Sequence, residues 1–112
     1  MLDEMNARIA YIRASLRLSP DQEKMWPDVE GALHELAKRH IERMNAMHER
    51  AERDYKTPIG LVEEWRQRAD MFGQRAGKLK MLADATEPLY GTLKDWQKYR
   101  LFDLIEPIAE NW

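Results

Sequence analysis

The sequence predicts an all-α chain, and three observations carry that reading. Helix formers (Ala, Leu, Glu, Lys, Arg, Gln, Met) dominate while β-branched residues are few. Apolar residues recur at steps of three and four along successive segments, as one face of a helix requires. Gly and Pro, five of each in 112 residues, punctuate those segments instead of pervading them.

The first helix is expected from about Asp3 to Arg17, where Met5, Ile9, Ile12 and Leu16 form one apolar stripe. It stops before Leu18-Ser19-Pro20-Asp21-Gln22. There the Ser19 hydroxyl can cap a new helix, Pro20 suits the first helical position, and Gln22 can reach back to the Ser19 amide, which makes a capping box. Leu18 stands where a hydrophobic staple would begin, but its partner position is Glu23. Pro27 should kink or restart the helix.

This second helix then runs to about Asp54. Val29, Leu33, Leu36, His40, Met44, Met47 and Ala51 form a near-heptad stripe. Arg39, Arg43 and Arg50 lie along one border of it, with Glu35, Glu42 and Glu49 further round. Thr57-Pro58 reads as the start of a third helix reaching the region of Ala85–Leu89. Its stripe is Leu61, Trp65, Ala69, Phe72, Ala76, Leu79 and Ala83, bordered by Arg68 and Arg75. The short Tyr55-Lys56-Thr57 connection makes the second and third helices antiparallel neighbours. Gly73 and Gly77, four residues apart, suggest a close helix crossing. Pro88 and Gly91 mark a bend, and a last helix from about Leu93 to Ala109 places Leu93, Gln97, Leu101, Leu104 and Ile108 on or near one side.

Length favours a single domain over residues 1–112. With 34% charged and 44% hydrophobic residues the composition is neither disordered nor membrane-spanning, and no apolar run reaches the ~18 residues a membrane span needs. The opening Met1-Leu2-Asp3-Glu4-Met5 has neither a basic nor an apolar signal region; a mature fragment with an added Met would look the same. Absence of cysteine removes disulfides, thiol catalysis and zinc–thiolate sites. A net charge of −2 argues against nucleic acid as partner. The charge is uneven: residues 38–80 hold 11 Lys/Arg against 7 Asp/Glu, the remainder 7 against 13. Nucleophile elbows, phosphate loops and the Glu-x-x-His pattern of di-iron bundles are missing, so no enzyme is expected.

Two pentads flank the central pair of helices: Leu18-Ser19-Pro20-Asp21-Gln22 and Leu93-Lys94-Asp95-Trp96-Gln97, with the same Leu-to-Gln spacing. Paired LTxxQ-type motifs in a small helical chain resemble the Spy/CpxP family of periplasmic chaperones and stress-response proteins. Trp26-Pro27 and Glu87-Pro88-Leu89-Tyr90 also resemble that family, and the likeness covers nearly the whole chain. Leu18, Ser19, Gln22, Leu93 and Gln97 are therefore read as structural motif residues. In the first motif Ser replaces Thr, which keeps the capping chemistry. In the second, Lys94 stands where a capping Thr belongs, leaving only Thr92, with Asp95, to serve.

The resemblance implies an elongated four-helix hairpin arrangement that dimerises into a shallow cradle in the periplasm. It implies an ATP-independent chaperone of unfolded or aggregation-prone proteins, or else a metal-responsive stress or sensor protein or a regulatory partner of an envelope-stress signalling system. A homodimer is also expected because the stripes of the two central helices exceed what two neighbours can cover. The expected client face joins Arg39, Arg43 and Arg50 to Arg68 and Arg75, interleaved with Met44, Met47 and Phe72: charge attracts an unfolded chain, and adaptable apolar groups hold it loosely. No cofactor is expected. Copper, nickel or zinc on His40 and His48, with Met44 and Met47 on the same broad face, is the alternative; a histidine in an apolar stripe reads first as a hydrogen-bonded core residue, and His34 reads as solvated. Trp26 and Trp65 are expected as core or dimer anchors, Trp112 as a disordered tail or docking group.

Overall fold

A computed structural model of the protein describes residues 1–54 and 60–112. Among them 89% are helical and none form strands. The helices are α1 (Leu2–Leu16), α2 (Pro20–Glu23), α3 (Trp26–Asp54), α4 (Leu61–Tyr90) and α5 (Asp95–Asn111). The expected Thr57-Pro58 start lies outside the described residues.

Each break has a local cause. α1 ends because Arg17 turns left-handed, at φ 47° and ψ 58°. Ser19 then caps α2 with both halves of the capping box: its hydroxyl accepts from the Gln22 amide at 3.2 Å, and its own amide donates to Gln22 Oε1 at 2.9 Å. α2 lasts one turn. α3 restarts at Trp26, which places Pro27 in the first turn, where a missing N–H breaks no intrahelical bond. The second expected helix is thus two, divided where Pro27 announces it. α4 passes through Pro88 and ends at Tyr90, so the bend falls at Gly91-Thr92.

The second motif works differently from the first. Gln97 Oε1 accepts from the Lys94 amide at 2.8 Å, but the Lys94 ammonium has no acceptor to offer in return, so only half a capping box forms. Thr92 does not replace it. Its hydroxyl donates to the Leu89 carbonyl at 2.7 Å and finishes α4 instead.

One core gathers the apolar faces at one end of the molecule. α1 contributes Met5, Ile9, Ile12 and Leu16; α3 contributes Trp26, Val29, Leu33 and Leu36; α4 gives Leu82 and Leu89; Leu93, Leu101, Ile108 and Trp112 complete it. Burying a side chain such as Ile9 or Leu33 contributes about 1.5–3 kcal/mol. Trp26 satisfies its indole N–H on Glu30, one turn on, at 2.8 Å. Trp112, expected as a tail or docking group, is instead 4% exposed and stacked under the Arg8 guanidinium at 5.6 Å.

Buried apolar residues stop at Ala37 on α3 and Leu82 on α4. Beyond them the two helices continue as an antiparallel pair: Glu35 meets Lys78, Arg39 meets Met71 and Arg50 meets Glu64, so partners fall along α4 as they rise along α3. The resulting body measures 55 × 24 × 20 Å. Its radius of gyration of 17.1 Å exceeds the ~13 Å of a compact chain this long.

Two expectations fail in this pair. The predicted stripe of α4 is not the face that packs on α3: Leu61, Trp65, Ala69, Phe72, Ala76 and Ala83 are exposed, while Glu64, Met71, Arg75, Lys78 and Leu82 turn inward. Ion pairs and carbonyl-bound arginines draw the polar face of α4 onto α3 and leave the apolar one outside. Gly73 and Gly77 also mark no close crossing, since a Cβ on either would meet nothing within 4 Å.

Candidate functional site

α3 and α4 flank an open cavity of about 250 Å³ lined by Arg39, Arg43, Met47, Arg50, Arg68, Met71, Phe72 and Arg75. All five arginines of the expected client face meet there, with Met47 and Phe72. Met44 lies outside the lining, 39% exposed on α3. Met71 was missed by the sequence reading. The signal was present as a second heptad on α4, Glu64-Met71-Arg75-Lys78-Leu82-Ala85-Leu89, hidden because its first half is polar.

Three of these arginines also close α5. The last carbonyls of a helix have no partner within it and carry partial negative charge, which cations satisfy. Arg75 donates to the carbonyls of Ala109, at 2.6 Å, and Glu110; Arg43 donates to Asn111 at 3.5 Å; Arg39 donates to Trp112 at 2.9 Å. Arg39 further donates to the Met71 carbonyl at 2.7 Å, which ties α3, α4 and α5 together. Only long-range placement brings these carbonyls to the arginines, so no spacing in the sequence announced them.

Arg39 is 5% exposed. Burial, and then the neighbouring Arg43 and Arg75, push its guanidinium below the ordinary value, and it stays charged regardless. Among the described residues Arg39, Arg43 and Arg75 make no ion pair, and the Nε donors of Arg39 and Arg43 are buried without an acceptor. Arg50 and Arg68 share one carboxylate, Glu64, at 3.3 and 3.4 Å. The cavity is therefore strongly electropositive and partly apolar.

His40 sits beside it, half-buried, with Nδ1 3.1 Å from Arg43 Nη2. The guanidinium can only donate, so Nδ1 accepts and the ring is neutral. Burial first, and Arg43 second, lower its pKa against a smaller opposing bond at the Asn111 backbone. His48 is exposed and 3.2 Å from Glu52. Eight helical residues separate the two histidines, a rise of ~12 Å, so one ion cannot be held by both rings of one chain. Among the described residues no three His, Asp or Glu side chains converge as a metal site.

Gln22 and Gln97, the closing residues of the two pentads, meet in the core. Each amide donates to the other, at 3.3 and 3.1 Å. Gln22 also donates to the Thr92 carbonyl, and Gln97 to that of Leu16. The motifs thus join the α1–α2 corner to the α4–α5 corner and contribute nothing to the arginine cavity.

A family model described as the LTXXQ motif family matches residues 4–104. Neither the curated proteins nor the solved structures provide a match.

Proposed function

The chain belongs to the LTXXQ motif family, the Spy/CpxP-type family, and from that membership we propose that it is a non-enzymatic, ATP-independent periplasmic chaperone-like protein. Unfolded or aggregation-prone clients would bind on the α3/α4 face. The observation that carries this reading is the apolar surface left open beside the five arginines: Met47 is 48% exposed and Phe72 66%. Exposed apolar groups of this size, next to concentrated charge, suit weak and adaptable contact with a chain that offers both. The described helices include none long and apolar enough to cross a membrane.

A homodimer belongs to the same proposal. On α4, Val62, Trp65, Ala69 and Ala76 are exposed and do not line the cavity, so a second copy covering them would leave it open. Sedimentation equilibrium at micromolar concentration is expected to give a dimer; a clean monomer would sink that half of the proposal.

The client reading is tested by suppression of aggregation of an unfolding protein without ATP. Met47→Gln with Phe72→Gln changes only exposed positions, so helicity should hold while protection weakens severalfold. Protection equal to the parent's would show that this face is not where clients bind.

A further inference from the structure

We propose that the arginine cavity between α3 and α4 is a selective site for a carboxylate flanked by apolar side chains, so that clients are held at acidic residues within apolar segments. The inference rests on the client reading and goes beyond it by naming which segment is preferred. General stickiness predicts no such choice.

Three features of the cavity point to that chemistry. The first is unmatched positive charge. Five guanidinium groups line it, and among the described residues a single carboxylate side chain, Glu64, pairs with two of them. Arg43 and Arg75 bond to backbone carbonyls of Ala109, Glu110 and Asn111, which satisfy individual donors without cancelling charge.

The second is donor capacity already held in place. Arg39 is 95% buried and, like Arg43 and Arg75, is fixed by bonds to backbone oxygens. Charge-assisted bonds from planar guanidinium groups are the strong kind. Because α5 and the Met71 carbonyl already hold these side chains, little rotamer entropy remains to be lost on binding.

The third is size and lining. About 250 Å³ admits one or two side chains, and Met47, Met71 and Phe72 supply the apolar wall. A bare phosphate would leave that wall unused. A nucleic-acid backbone would need a continuous basic track, which a chain of net charge −2 does not favour. An acidic side chain between apolar neighbours uses both parts at once.

The test is fluorescence anisotropy on the full chain with dye-labelled peptides of the pattern Leu-Phe-Glu-Leu-Phe and its Gln and Lys counterparts. The Glu peptide is expected to bind at least ~10-fold tighter than the Gln peptide, with Lys weakest, since one charge-assisted bond of this kind is worth about that factor. Arg39→Gln risks the fold because Arg39 anchors two other helices. Arg50→Gln, whose side chain is 25% exposed, and Arg43→Gln should instead keep the helical signal and reduce the Glu preference toward unity. Equal binding of Glu and Gln peptides by the parent, or an undiminished preference in both variants, overturns the proposal. So does tighter binding of dodecanoate or of a single-stranded oligonucleotide than of the Glu peptide. Aggregation suppression separates the two readings. Suppression without peptide preference removes this inference and leaves the client reading; preference without suppression removes the client reading and leaves the site.

Discussion

Gln22 and Gln97 stand 75 residues apart and use each other's amides completely. Each Oε1 accepts from its own helix cap and from the other glutamine; each Nε2 donates to the other glutamine and to a carbonyl across the corner. Two acceptor sites and two donors are the full capacity of an amide side chain. The Leu-to-Gln spacing therefore serves twice, locally as a cap and globally as a clamp.

Loss of this clamp should be costly and non-additive. Gln97→Ala leaves the Lys94 amide and the Leu16 carbonyl without their partner, and is expected to cost about 2–4 kcal/mol in urea unfolding. In a double-mutant cycle, Gln22→Met with Gln97→Met should cost less than the two singles together, by about 1 kcal/mol. Simple additivity would mean the two amides do not act as a pair.

The two caps should respond in opposite senses to repair and damage. Ser19→Ala removes the hydroxyl that accepts from Gln22 and is expected to cost ~0.5–2 kcal/mol. Lys94→Thr supplies the acceptor that the second motif lacks and should stabilise by ~0.5–1 kcal/mol. Thermal melts of both variants check this, and a destabilised Lys94→Thr protein would mean that the lysine has another role.

Arg17 is the only non-glycine residue with positive φ among those described. A left-handed L-residue costs roughly 1–2 kcal/mol, part of which a glycine gives back in unfolded-chain entropy. Arg17→Gly should therefore raise the unfolding midpoint slightly, by ~0.5–1 kcal/mol in stability. A lower midpoint would show that the Arg17 side chain makes a compensating contact.

His40 makes stability depend on pH. Its folded pKa lies below its unfolded value of ~6.5, so the unfolded chain binds the extra proton. The contribution of neutral His40 is complete above pH ~6.5 and is lost as pH falls below it toward the lower folded value. His40→Gln should flatten that part of the stability profile, measured by urea midpoints between about pH 7 and 5. An unchanged profile would assign the acid sensitivity to other groups.

Local signals in the sequence determined the helices, the Ser19 cap and most of the core. Met5 to Leu16, Val29 to Leu36 and Leu93 to Ile108 are buried where their spacing puts them, because each such stripe has a partner helix within reach. Ser19 and Gln22 needed only three residues of chain to form their box. The arginines of both central helices were legible as one group for the same reason, since antiparallel neighbours must bring their borders together. What tertiary structure alone decided is which of two faces α4 would cover, where the arginine donors would end, and that Gln22 and Gln97 would meet. Periodicity shows that a helix has an apolar face, but burial needs a second surface. On the outer half of α4 the bonds from Glu64, Arg75 and Lys78 claimed the inner side. Trp112 and the α5 carbonyls reached Arg8, Arg39, Arg43 and Arg75 only because helices distant in sequence were brought side by side.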